Sequence, residues 1–350
     1  MLAALASGYH GPPELTFGRA FTSWTFDPWS AAGIVILGCL YLIGVRRARR
    51  DGERWPAARI VLFCGLGLGF GVIATMSFVG VYKPVLFYVR SVQTVLLLLV
   101  VPLFLVLGRP LTLAIAALPR IGPRLESVIS SRVAKLATFP AITTLVLVLT
   151  PFVIYFTPWY QAGFSSVPVA QLTNIALMVP GFVFFWTLLR VDPVPKAYPY
   201  VVALWITGAE VIGDAVLGLA VIADTSLIAG QYYHALARPW GPSLATSQVL
   251  GGGVLWILGD IVGLPFLAAQ FIQMIREDQA DATAIDAELD ARDAVAAATA
   301  ATLPATGVEA DAGVGIGTGV VTGSEPPSHR PWWESDRRFS DRFRAMDETD

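Results

Sequence analysis

Seven long apolar runs constrain this chain more than any other feature. A helix needs about 20 mostly apolar residues to cross about 30 Å of hydrocarbon. Runs near 29–45, 59–81, 85–107, 138–157, 168–189, 199–222 and 249–274 approach or exceed that length. Strands of a membrane barrel would be about 10 residues long and would alternate apolar with polar side chains; these runs are longer and do not alternate. Charge content agrees, since only 14% of the 350 residues are charged, against about 25% in soluble domains. The expected fold is all-α, a polytopic transmembrane helical bundle of about seven spans.

The charges that remain are unevenly placed. Arg46, Arg47, Arg49, Arg50 and Arg54 follow the first run. Arg109, Arg120, Arg124, Arg132 and Lys135 fill the loop between the third and fourth, Arg190 and Lys196 follow the fifth, and Arg276 follows the seventh. The alternate loops hold only Arg19, Lys83 and Arg238. Positive loops stay cytoplasmic, so the N-terminus is expected outside and the C-terminus in the cytoplasm. Trp24, Trp29, Trp159 and Trp240 fall near the outer boundaries, where tryptophan favours the interface. Residues 1–276 carry 18 basic against 10 acidic side chains and residues 277–350 carry 6 against 16, two different physical objects. The expected organisation is an extracytoplasmic segment 1–28, a seven-span membrane domain 29–276, and an acidic, largely disordered cytoplasmic tail 277–350, of which 277–300 is Ala- and acid-rich enough to continue the last helix.

Ionisable residues inside spans are costly and usually face a bundle interior. Four stand here: Arg90 in the third run, Glu210 and Asp214 in the sixth, and Asp260 in the seventh. Glu210 and Asp214 are spaced i, i+4 and share a helix face. With Gln93, and with Gln171 and Asn174 from the fifth run, they are expected to form one intramembrane polar cluster in the outer half of the bundle. The cluster reads either as a set of interhelical ion pairs that lock the helices or as a binding site.

Other chemistries find little support. His10, His234 and His329 all lie outside the runs, and no Walker-type loop, HExxH, CxxC or GxSxG occurs. Cys39, Met76 and Met178 are the soft side chains at outer depth that Cu(I) would favour, though such residues in apolar helices are ordinarily packing groups. Cys39 and Cys64 read as small core hydrophobes. Gly251, Gly252, Gly253, Gly259 and Gly263 read as a stripe for close helix approach. No enzyme constellation and no nucleic-acid partner are expected.

Several local patterns carry a resemblance. Arg54-Trp55-Pro56 with Arg59 precedes the second run. Pro102-Leu103 leads to Leu107-Gly108-Arg109-Pro110 after the third. Asp192-Pro193-Val194-Pro195 follows the fifth, and Gln248 with Gly251-Gly252-Gly253, Trp256 and Gly259-Asp260 marks the seventh. In their order and spacing, from about Asp27 to Arg276, they resemble the CtaG-type cytochrome c oxidase assembly factors. The resemblance implies a seven-span accessory factor for assembling haem–copper cytochrome c oxidase in the bacterial plasma membrane. Copper is the cofactor it would handle, and membrane lipid with oxidase subunits or copper chaperones its partners. There are departures. Where the family carries H-M-x-x-H, this chain has Arg90, Ser91 and Thr94. A family histidine in the sixth span matches Asp214, the family's G-E in the seventh is Gly259-Asp260, and histidines of the fifth are replaced among Gln171–Ala176. On this reading the fixed cation of Arg90 replaces a bound metal, with Asp214 and Asp260 as counter-charges, and the chain is a divergent member lacking the metal site. The alternative is a small-ion or proton-coupled transporter using Arg90, Glu210, Asp214 and Asp260 as a relay, although no inverted repeat is visible.

Overall fold

The computed structural model describes residues 8–302 except 120, 121, 197 and 199; the expected tail from 303 onward lies outside the described residues. The described chain is helical without strands. After a short helix α1 (Phe17–Thr22) come α2 (Pro28–Arg50), α3 (Ala57–Tyr82, broken at Ser77) and α4 (Phe87–Leu107). Three short helices follow, α5 (Pro110–Ala117), α6 (Gly122–Ile129) and α7 (Arg132–Ala137), in the basic loop. Then come α8 (Pro140–Phe156), α9 (Trp159–Ser165), α10 (Val167–Leu189), α11 (Tyr200–Ala223), α12 (Gly230–Ala235) and α13 (Leu244–Thr302).

Six of these are long and apolar enough to cross a membrane. The remaining expected span, near 138–157, is α8, which is long enough to count only when joined with α9, from which it is bent by 69°. Thr157 is extended and Pro158 follows it, so the helix cannot run on. The protein is a multi-pass membrane protein. The chain divides into two compact units, Met1–Asp286 and Ala287–Asp350. In the second, the described residues belong to the end of α13, where Glu288 and Arg292 form an exposed i, i+4 pair.

Helix α4 is central: 72% of its apolar stretch is buried, against 11% for α2. Packing in hydrocarbon relies on close backbone approach, and Gly181 of α10 supplies it. The glycine lies on the Leu98 carbonyl of α4, where any Cβ would overlap the oxygen. The α4 backbone widens into a π turn over Leu96–Val100 at that level. Phe184 and Phe185 of α10 pack beside it, with Phe266 of α13 edge-on to Phe185.

Loops of like predicted side gather at the same end. At the arginine-rich end Tyr41 stacks on Phe63 at 4.0 Å and donates to the Gly108 carbonyl at 2.7 Å, while Trp55 Nε1 donates to the Tyr41 hydroxyl at 3.2 Å. Asp192 caps α5 across the loop, accepting from Leu111 N at 3.2 Å and from Thr112 N and Oγ1 at 2.8 and 2.6 Å. Burial raises the Asp192 carboxyl above its usual value against those three donors. At the opposite end Thr25 N donates to the Met76 carbonyl, and Trp240 packs edge-on to Tyr9 and Tyr82.

The Gly181 contact sets a testable limit. Gly181→Leu must force α10 off α4, and overpacking of this kind costs about 1–3 kcal/mol or more. Its melting temperature in detergent should fall well below that of the parent, whereas Gly69→Leu, where nothing lies within 4 Å of a new Cβ, should leave it nearly unchanged.

Candidate functional site

The sequence placed Arg90, Gln93, Glu210, Asp214 and Asp260 in one cluster. The structure divides them between two levels. Arg90 and Gln93 lie on α4 one turn inside the arginine-poor end, 4% and 0% exposed. The Arg90 Nη1 donates to Gln93 Oε1, and Gln93 Nε2 donates to the Ala74 carbonyl of α3 at 2.8 Å. The guanidinium lies 5.8 Å from the Phe164 ring of α9, within cation–π range. Its Nε is buried without a partner.

Tyrosines complete this level, and the sequence reading passed over them. Tyr155 hydroxyl lies 2.9 Å from Thr94 Oγ1 and donates to Ser91 Oγ at 3.5 Å. The hydroxyls of Tyr160 and Tyr233 pair at 2.8 Å. All three rings pack around Phe87, at centroid distances of 5.5, 5.6 and 6.4 Å. The bend between α8 and α9 brings Tyr155 and Tyr160 together, and α12 delivers Tyr233. The signal available in sequence was a set of tyrosines at span ends, which interfacial anchoring explains equally well. A cavity of about 390 Å³ opens over Tyr155 and Tyr160, between that bend and the 224–229 loop.

Glu210, Asp214 and Asp260 stand deeper, where α11 crosses α13. Gly251 of α13 abuts Phe87 and Ser91, while Gly259 abuts Asp214. Those eight residues correspond to about 12 Å along the helix. Among the described residues no ion pair joins Arg90 to any of the three carboxylates. The expected Arg–carboxylate cluster is not formed: helix faces that share a depth range in sequence need not share a neighbour.

Gln171 and Asn174 belong to a third place. Asp27, the N-cap of α2, accepts from Ser30 Oγ at 2.7 Å and Gln171 Nε2 at 2.8 Å. Burial opposes the Asp27 charge, but the donors from Ser30, Gln171 and Trp29 hold its carboxyl below the usual range. Met178 and Asn174 line an apolar crevice of about 200 Å³ below; Cys39 faces outward and Met76 is buried at the end of its helix segment. His10 and His234 are exposed, and His329 lies outside the described residues. Gln248 of α13 is a structural clasp. Its Nε2 donates to the carbonyls of Val221 and Asp224 at 3.2 and 3.0 Å, and its Oε1 accepts from Ile228 N at 2.9 Å. It thereby satisfies the free C-terminal carbonyls of α11.

The family model of the cytochrome c oxidase caa3 assembly factors (Caa3_CtaG) matches residues 39–277, well over half of the chain. The chain belongs to this family. It is also 29% identical over 305 residues to an uncharacterized protein of Mycobacterium leprae, a match covering 82% of this chain and 46% of that one. Uncharacterized proteins of Mycobacterium bovis and Mycobacterium tuberculosis are each 29% identical over 291 residues, covering 81% of this chain and 44% of theirs. The chain thus spans about half the length of the curated relatives it matches. No solved structure matches.

Copper handling, which the resemblance implies, does not suit the donor set at the Arg90 level. Cu(I) favours thiolate, thioether and imidazole ligands; the groups here are hydroxyls, an amide and a fixed guanidinium that repels cations. Among the described residues no three His, Cys, Asp or Glu side chains are placed to hold a metal ion.

Lys83, just beyond α3, responds to the same charge. Burial, with Arg90 alongside, pulls its ammonium down to about 8, against the opposing pull of Asp27. Since the unfolded chain keeps that proton to higher pH, stability rises from pH 8 towards 10.5. Lys83→Met should therefore melt above the parent at pH 7, and the gap should close as pH rises through that window. A pH-independent gap would contradict the assignment.

Proposed function

We propose that the chain is a non-enzymatic accessory factor for assembly of cytochrome c oxidase, serving as a membrane scaffold and not as a carrier of copper. The arginine-rich end faces the cytoplasm of the bacterial plasma membrane, consistent with the basic loops gathered there. Arg90 with Gln93, and Glu210 with Asp214 and Asp260, are its two intramembrane binding levels, and oxidase subunits are its partners.

One observation carries the scaffold reading. At the positions where the resemblance would place metal-binding side chains, Ser91 and Thr94 instead hold the Tyr155 hydroxyl between them, beside a buried guanidinium. That space is filled by the chain's own hydrogen-bonded side chain and is positively charged. The separation of Arg90 from the three carboxylates argues against a relay running through all four.

Membranes from a strain lacking this protein should lose most oxidase activity and a-type haem absorbance, and added copper should not restore them. Restoration by copper would mean that copper delivery survives in this chain; unchanged activity would remove oxidase assembly altogether.

A further inference from the structure

Helices α11 and α13 cross at a glycine pair. A Cβ on Gly218 would meet the Gly252 carbonyl at 2.6 Å, and one on Gly252 would meet the Gly218 carbonyl at 2.6 Å. From that contact towards the arginine-rich end, α11 presents Asp214 and then Glu210, and α13 presents Gly259 and then Gly263. Asp214 lies against Gly259, and Glu210 Oε2 would lie 3.2 Å from a Cβ on Gly263. The two glycines leave the room the carboxyl groups occupy. Asp260 is the next residue after Gly259 on α13, beside the point where Asp214 packs.

Glu210 and Asp214 are more than nine-tenths buried. Among the described residues no hydrogen bond or ion pair reaches either of them or Asp260, whose Oδ1 is enclosed without a partner. Asp260 opens instead on a shallow outward groove along the face of α13 itself, lined by Trp256, Ile257, Ile261, Leu264 and Pro265. Ile257 and Ile261 are both 59% exposed, so the groove faces the hydrocarbon. Intramembrane carboxylates pair with a cation or line a path, and like charges this close disfavour one another. The chain's intramembrane cation, Arg90, sits at a different level of α13, roughly two helical turns along it, and is engaged by Gln93 and Phe164.

We propose that this groove is a docking surface for a transmembrane helix of another protein that carries an arginine or lysine near mid-span. Its apolar side chains pack against the Ile257–Ile261–Leu264 ridge, and its cation pairs with Asp260, backed by Asp214 and Glu210. Charge complementarity decides the occupant: a lipid tail would fill the apolar groove but leave the Asp260 carboxyl, with its enclosed Oδ1, unmatched. The proposal rests on the assembly reading for its purpose but not for its chemistry.

The test uses the full chain in native membranes with a photoreactive residue at Ile257, and mass spectrometry of the adduct. The expected product is a peptide from another protein's apolar span containing Arg or Lys. Its yield should drop about tenfold or more in Asp260→Asn, the scale for removing one partner of a buried charge pair, and persist in Asp260→Glu. Adducts to lipid only, to a second copy of this chain or to a span without a basic residue would overturn the proposal, as would a yield indifferent to Asp260→Asn. If the captured span belongs to a protein unrelated to the oxidase, the docking surface stands and the assembly reading falls. Oxidase loss without capture separates the two the other way.

Discussion

Helices in hydrocarbon gain nothing by hiding apolar surface from one another, so their packing depends on how closely their backbones can approach. Here that approach rests on single glycines: Gly181 on the Leu98 carbonyl and Gly218 facing Gly252. The first fixes α10 against the central helix α4, and the second fixes α11 against α13. Where α11 and α13 continue side by side, Gly259 and Gly263 leave space that Asp214 and Glu210 fill. The deep polar level therefore follows from the packing rule and not from attraction between charges.

The ends of the bundle obey a second constraint. Terminal backbone groups of a helix need partners, and near a membrane water supplies fewer of them. Side chains from distant segments serve instead. Asp192 caps α5, Gln248 closes α11, Tyr41 holds the Gly108 carbonyl, and Asp27 joins α2 to α10. Several residues that carry the family resemblance, Trp55, Gly108, Asp192 and Gln248 among them, sit in these clasps. They identify the chain because they shape it.

The spans were legible in the sequence because hydropathy over about 20 residues is a strong signal, and loop charge recovered their alternation. Three things were not legible. The Thr157–Pro158 bend falls at the end of the fourth apolar run, and hydropathy does not say in which direction the chain leaves a span. The extent of α13 past Arg276 to Thr302 rests on helix propensity, which only suggested it. Most consequentially, Arg90 and the carboxylates shared a depth range, and depth without azimuth cannot say which helix faces meet. The same limit hid Tyr155 and Tyr233, which the bend and α12 carry into contact with α4 from far along the chain.

The brevity of α8 has a mechanical consequence. Its 17 residues rise about 25 Å, less than the roughly 30 Å thickness of a hydrocarbon core, and α9 turns aside instead of completing the crossing. Leu145, Leu149 and Val153 on its outer face are exposed, so acyl chains must meet this short surface directly. A short span of this kind is matched by local thinning of the lipid, by flanking side chains reaching to the interface or by association with other helices, each at a cost of a fraction of a kcal/mol per Å.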